Sequence, residues 1–332
     1  MKTTVLSAEN AEANSTAIDL LRRGETVALP TETVYGLAAD ALNETAVLKI
    51  FAAKSRPRFD PLIVHLPSAD WFERVAIIED SVRATFQNLR LRFSPGPLTF
   101  ILRRRPIVPD LVAAGLETVA VRISAHPIFA KIIREFGAPL AAPSANRFGR
   151  ISPTTAGHVL EELEGLIPLI IDGGSSAHGL ESTIVALRNG RIELLRRGPI
   201  TEEELSEFGE VVPGHTRAQP QAPGQLPAHY APRTPLILVD DPGKFARVAG
   251  KRYGLVSWKG EIPAGFVETR RLSENENLDE AAANLFRCLR ELDNARLDLI
   301  VAEKIPGKGL GAAIMDRLQR AAATFDEPGK LQ

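Results

Sequence analysis

The chain has 332 residues, 44% of them hydrophobic and 24% charged, with a net charge of −1. That composition supplies a sizeable core, and the near-zero charge excludes a general polyanion binder, confining any phosphate or nucleic-acid site to a local patch. With Cys288 as the single cysteine, neither an intrachain disulfide nor a cysteine metal cluster can form.

At ~100–200 residues per domain the length predicts two domains. The opening MKTTVLSAENAEANS is polar and acidic rather than a signal peptide. No run approaches the ~18 apolar residues of a membrane span, so a soluble cytoplasmic protein with no membrane partner is expected. In chain order, residues 15–23 read as a helix opened by Ser-Thr and closed by Gly24. Residues 25–30 read as a strand, 44–53 as a helix, 61–66 as a buried strand and 80–93 as a basic helix. Strands follow at 97–105 and 118–123, then a helix at 126–137 with Pro127 in its first turn. A strand runs into a loop over 139–145, and 154–165 is helical. Strands at 166–174, 182–187 and 191–198 come in succession and predict antiparallel partners among themselves. Interleaved strands and helices predict an α/β fold with a mixed sheet.

The composition then shifts. Residues 206–234 are rich in Pro and Gly, as in a linker or a draped loop. Strands at 235–241, 252–258 and 297–303 and helices at 278–292 and 310–323 make a second, smaller α/β unit. The expected organisation is a catalytic domain over 1–205, a Pro/Gly-rich linker and lid over 206–233, and a C-terminal domain over 234–332.

Several stretches place polar groups at the ends of these elements. In PTETVYGLAADA (30–41) two threonines and a glutamate follow a strand, suited to ligand contacts or to a Thr-rich polar turn. In KSRPRFDPLIVH (54–65) three cations fall within five residues, between an apolar helix and an apolar strand. Cations at a helix C-terminus offset its dipole by ~0.3–1 kcal/mol each, which accounts for one or two of them. Pro57 and Pro61 stiffen the loop, which suits a phosphate clamp made by Lys54 and Arg56. Spacing alone leaves both readings open, and position alone makes His65 a structural residue. APSANRFGRISPT (142–154) brings Ser144, Asn146 and Ser152 ahead of a helix, as an anion site or a capping loop. IDGGSSAHGLESTIV (171–185) is a Gly-rich turn without a P-loop or a nucleophile elbow. In IPGKGLGAAIMDRL (305–318) the glycines depart from the dinucleotide fingerprint, and close helix–strand packing is expected. Arg90, Arg92, Arg103, Arg104 and Arg105 form either a basic face for RNA or a solvated surface. The collected groups are mostly donors, which stabilise developing negative charge. They point to chemistry at a phosphorus or a carboxylate, run by positioning and electrostatics.

In order, PTETVYGL, K-x-R-P with PLIVH, PGPLTF, TVAVR, PSAN with SPT, GLESTIV and LLRRG resemble the YrdC-type threonylcarbamoyl-AMP synthases. APGQLPAHYAP and GLGAAIMDRLQRAA resemble the family's long, two-domain form. The resemblance implies a twisted mixed-sheet YrdC-like catalytic domain and a smaller Rossmann-like C-terminal domain. It implies synthesis of L-threonylcarbamoyl-AMP from L-threonine, bicarbonate and ATP, with Mg²⁺ held mainly by ATP phosphates. The product would feed a downstream threonylcarbamoyl transferase complex acting on tRNA. Carried over, the catalytic set falls on Lys54, Arg56, Ser144 and Asn146. Threonine binding falls on Thr33, His65, Arg122 and Ser182. ATP contacts fall on Arg56, Asp60, Thr118, Ala142, Ser144, Ser152, Arg196 and Tyr230, with Tyr230 and His229 in the lid and no protein metal ligand. The family often carries Asn where this chain has Asp60, and an acid beside a triphosphate repels it unless a cation lies between. The linker middle, Gln225-Leu226-Pro227-Ala228, is less basic than in many members.

Overall fold

Residues 2–214, 222–224 and 230–323 are described by the computed structural model, which divides into two units. The first comprises Met1–Phe148, Pro153–Ala177 and Glu181–Gln225. It opens with β1 (Thr4–Ser7) and α1 (Ala13–Arg22). The helix starts at Ala13 rather than at Ser15 and has no side-chain cap. Its limits follow the buried stripe of Ala13, Ala17, Ile18 and Leu21, so packing outweighs the cap signal. β2 (Val27–Leu29) and β3 (Gly36–Asp40) pair antiparallel. α2 (Glu44–Lys54) is capped by Asn43 accepting from the Ala46 amide, and ends where Ser55 turns left-handed at φ 52°.

There follow β4 (Ile63–His65), α3 (Trp71–Val75), β5 (Ala76–Ile77), α4 (Asp80–Phe93), β6 (Leu98–Arg104), α5 (Asp110–Ala113) and β7 (Thr118–Arg122). Then come α6 (Pro127–Phe136), β8 (Leu140–Ala141), α7 (Ala156–Leu163), β9 (Leu169–Asp172), β10 (Thr183–Arg188), β11 (Arg191–Arg196), α8 (Glu202–Ser206) and β12 (Val211–Pro213). The sheet order is β1-β9-β2-β3-β8-β4-β7-β6-β10-β11-β12, with β5 on β6. The pairing is mixed, as expected, and buries a large apolar cluster that includes Val64, Phe100, Val119, Val121 and Val185.

The expected antiparallel partners are present among the three successive strands, but not for all three. Of the three successive strands, only β10 and β11 pair antiparallel with each other. β9 instead lies parallel between β1 and β2, where its Leu169, Ile170 and Ile171 are buried. Strands buried on both faces read as continuous apolar runs, and such a run does not name its neighbour. The stretch expected to be linker from residue 206 still contributes β12, which pairs parallel with β11.

The second unit comprises Gly149–Ser152, His178–Leu180 and Leu226–Gln332. Its strands are β13 (Leu236–Val239), β14 (Tyr253–Ser257), β15 (Glu268–Arg271) and β16 (Leu299–Glu303), with helices α9 (Leu278–Asp293) and α10 (Leu310–Ala322). The order β13-β16-β14-β15 is parallel throughout, a Rossmann-like arrangement. Gly311 fits the close-packing expectation, because a Cβ there would overlap the Pro306 carbonyl.

Candidate active site

Successive residues of a strand face opposite sides of its sheet. On β4, β7, β6 and β10 one side carries Val64, Val119, Val121, Phe100 and Val185 into the large core. The other side carries Ile63, Ala120, Ile101, Ile184 and Ala186, a small apolar cluster shared with Ala222. Alternation puts His65, Arg122, Thr118, Thr99 and Ser182 on that same side. Parallel pairing sets His65 directly beside Arg122. Arg196 joins them through a register shift: Val185 faces Leu194 but Ile184 faces Arg196. The extra residue, Leu195, is a bulge that swings Arg196 from the core side to the site side. There its Nη2 donates to Ser182 Oγ at 3.0 Å and its Nε to Ser182 O at 3.0 Å, and Nη1 donates to Pro223 O at 3.1 Å. Gly198 permits this approach, since a Cβ would lie 2.5 Å from Glu181 O and Thr183 N.

The Thr-rich turn closes one end. Thr31 Oγ1 lies 2.8 Å from Thr33 Oγ1 and donates to Val34 O at 2.6 Å. Arg122 Nη1 donates to Thr33 Oγ1 at 3.2 Å, and its Nη2 meets Glu32 Oε1 at 2.5 Å. The second Glu32 oxygen accepts from Ser124 Oγ. Burial alone would raise the Glu32 carboxyl, but Arg122, Ser124 and backbone amides hold it down to about 2. Burial, and then the Arg122 charge, lower His65 to about 3, so its imidazole is neutral at ordinary pH. Its ring packs 4.7 Å from Phe129. Among the described residues here, the buried His65 Nδ1 and Arg122 Nε have no hydrogen-bond partner, and neither does His126 Nδ1 beside Ser124.

The cations of KSRPR close the other end. Lys54 is 1% exposed, and its Nζ donates to the carbonyls of Ser144 and Asn146 at 2.6 and 2.5 Å. The Phe148 amide returns a bond to Lys54 O at 2.9 Å. Thus the end of α2 is stitched three times to the PSAN loop, which also bridges Gly36 to Ser144. Burial, and then the Arg56 charge, lower the Lys54 pKa well below its usual value, against Asp60 and Glu162. Arg56 Nη2 pairs with Asp60 Oδ2 at 2.9 Å and donates to Pro61 O at 2.8 Å, while its guanidinium lies 5.8 Å from the Phe148 ring centre. Burial lifts the Asp60 carboxyl above its usual range, against Arg56, Lys54 and Arg196. Arg58 and Phe59, on the same loop, are exposed.

Lys54, Arg56, Asp60, Ser144 and Asn146 therefore form one group, and Thr33, His65 and Arg122 another, with Ser182 and Arg196 paired beside them on the same sheet face. The Ala142 amide donates to Ile63 O at 3.0 Å, fixing β8 to β4. Thr118 opens β7 while Arg122 ends it, about 13 Å apart at ~3.3 Å per residue. Ser152 is fully buried in the 149–152 segment of the second unit. Tyr230 is also in that unit, buried against Phe286 at 5.6 Å and under the Arg317 guanidinium at 5.0 Å. His229 and Gln225-Leu226-Pro227-Ala228 lie outside the described residues. Sequence reasoning passed over Glu32, Ser124 and Thr99. The available signal was Glu32 itself, an acid inside a buried turn where an arginine would need a counter-charge. In the basic set, Arg104 is held by Asp110 and Val108 O, and Arg105 by Ala76 O.

A family model described as telomere recombination, for Sua5, YciO and YrdC, matches residues 19–198. A second, the threonylcarbamoyl-AMP synthase C-terminal domain, matches residues 200–323. The threonylcarbamoyl-AMP synthases of Pyrococcus abyssi and Bacillus subtilis are each 40% identical to this chain over 324 residues. These alignments cover 92% of this chain and 93% and 92% of those relatives. The chain belongs to the threonylcarbamoyl-AMP synthase family. Members of this synthase family are nucleotidyltransferases, and the two family models together match residues 19–198 and 200–323. A Pyrococcus abyssi Sua5 crystal structure, described as complexed with L-threonine, superposes with a TM-score of 0.87 at 38% identity. That match covers 96% of this chain and 98% of the other. Among the described residues, no helix is long and apolar enough to cross a membrane.

Proposed function

We propose that this chain makes L-threonylcarbamoyl-AMP from L-threonine, bicarbonate and ATP, releasing pyrophosphate and water. The product would serve N6-threonylcarbamoyladenosine formation at position 37 of tRNAs reading ANN codons, through a separate transferase complex. The observation that carries the reading is a sheet face that sets His65, Arg122, Ser182 and Arg196 side by side, with Arg196 close enough to Asp60 to couple this face to the Lys54–Arg56 cluster. There, Arg122 Nε and His65 Nδ1 are buried without partners, and Thr33 and Ser182 stand beside them. Arg122 Nε would receive the threonine carboxylate and neutral His65 a polar group of the amino acid, as a charge-assisted and a neutral hydrogen bond. The threonine amine and bicarbonate give a carbamate and water. A carbamate oxygen then attacks the α-phosphorus, the bond to the β-phosphate oxygen breaks, and pyrophosphate leaves. Lys54 and Arg56 hold the phosphates and stabilise the charge that develops on them.

The donors near the proposed phosphates are cations and loop groups, with Asp60 already held by Arg56. Such a set suits a nucleotide that brings its own Mg²⁺, which keeps water ligands and neutralises phosphate charge. In this reading Asp60 is a counter-ion to Arg56 rather than a direct ATP contact. Residues 1–205 are the proposed catalytic domain and 234–332 the C-terminal domain, joined through 206–233. The assay is pyrophosphate release with ATP, Mg²⁺, bicarbonate and L-threonine, with L-serine as a parallel arm. Release that depends on both threonine and bicarbonate is expected, and release indifferent to either overturns the reading.

A further inference from the structure

Resting on that reading, we infer that Glu32 is a positioning residue for the amino-acid substrate, acting through Arg122. The guanidinium has three edges on which to be held. Glu32 Oε1 takes Nη2 at 2.5 Å and Thr33 Oγ1 takes Nη1 at 3.2 Å, so two are fixed and Nε remains. Glu32 is itself tethered by Ser124 Oγ, whose oxygen also accepts from the His126 amide at 3.2 Å. Arg122 and Glu32 are 2% and 7% exposed, so neither charge is stabilised by bulk water. A buried cation with its carboxylate removed is destabilised and free to turn, and a planar fork binds well in one orientation only. The balanced pair also sets what the pocket selects. A free buried arginine would attract any small anion, bicarbonate and phosphate included. An arginine already neutralised by Glu32 retains a directed N–H and favours a ligand whose carboxylate arrives at that edge. Glu32 is held as the anion, which makes it a poor proton acceptor for the substrate amine, and its two oxygens face Arg122 and Ser124.

The test compares the full chain with Glu32→Gln in steady-state pyrophosphate release and in calorimetric threonine binding without ATP. Glu32→Gln is expected to raise the threonine KM and Kd on the order of tenfold or more. At saturating threonine, kcat should stay within about threefold of the unaltered chain. Threoninol, which lacks the carboxylate, supplies the discriminating arm: the preference for threonine over threoninol should shrink by the same factor. With Arg122→Gln in place, Glu32→Gln should add little, since the two act as one unit. Equal losses on threonine and threoninol overturn the inference, as does an unchanged or lowered threonine Kd. If Glu32→Gln fails to fold, Ser124→Ala keeps both charges while loosening Glu32, and must raise the threonine Kd in the same direction. Threonine binding needs no turnover, so absence of activity in the unaltered chain counts against the synthase reading alone.

Discussion

The first unit contains two buried charge clusters, and they are built differently. Around Asp60 stand three cations, Arg56, Lys54 and Arg196. Around Arg122 stands the carboxylate of Glu32, one for one. The cationic cluster spends its donors on carbonyls of Ser144, Asn146 and Pro61, so its positive charge is fixed in place by backbone. The balanced cluster fixes its cation with a counter-charge and leaves single buried nitrogens on Arg122 and His65. A polyanion is best met by surplus charge held rigid; a small amino acid is best met by neutralised charge with directed hydrogen bonds. The difference teaches that the same residue type, arginine, is given two different electrostatic settings by what surrounds it, and under the proposed function these would suit two different ligands.

The largest expected effects separate the two clusters kinetically. Lys54→Ala should cost on the order of 10²–10³ in kcat/KM, typical for losing one electrostatic stabiliser, and should act on ATP. Arg122→Ala should instead raise the threonine KM about 10²-fold while the ATP KM holds, since losing a buried charge pair costs ~2–5 kcal/mol. Steady-state pyrophosphate release with each substrate varied in turn would show it. Identical KM changes in the two variants would erase the distinction.

Next in size is stability. Arg56→Ala leaves Asp60 as a buried charge and should cost about 3–5 kcal/mol in urea unfolding. Asp60→Asn in the same chain should restore part of that loss, which an exposed ion pair would not do.

The clusters should also part on acidification. His65 has a folded pKa of about 3 against 6.5 when free, so the unfolded chain binds more protons between those values. Its contribution is present above 6.5 and is lost as the pH falls toward 3, a loss of a few kcal/mol. Glu32, held down to about 2, adds a loss that begins below its free value of 4.5. Asp60 runs the other way, because burial raises it and its contribution fades as the pH rises. Urea midpoints between pH 7.5 and 4 should fall in the unaltered chain and fall less in His65→Gln. The smallest effect belongs to Arg58→Ala. Arg58 lies on the loop of the cationic cluster but is exposed, and activity should stay within about threefold.

Some of this was legible in the sequence. The helix at 80–93 is found at Asp80–Phe93 because Val82, Phe86, Leu89 and Phe93 give it an unmistakable period. Pro127 and Gly137 mark both ends of α6. β3 was passed over because GLAAD has no β-branched or aromatic residue; its strand form comes from pairing with β2 and β8. β15, with the charged sequence ETRR, was passed over for the same reason and exists through β14. In the site, the motif order named Lys54, Arg56 and Arg122. It did not name Glu32, because a counter-ion is defined by a contact between residues 32 and 122, which spacing does not show. The bulge that turns Arg196 toward Ser182 is likewise a property of the pairing.

β9 has a consequence for how the site comes into being. It lies between β1 and β2, so residues 4–7 and 27–28 cannot join one sheet until residues 169–172 arrive. Contacts so distant in sequence close slowly, since loop closure must be completed before the pairing rewards it. The turn carrying Glu32 and Thr33 leaves directly from β2, so its seat is finished by one of the last strands of the unit to be synthesised. Ligand-binding competence should therefore appear late and all at once during refolding, together with the slowest phase rather than ahead of it.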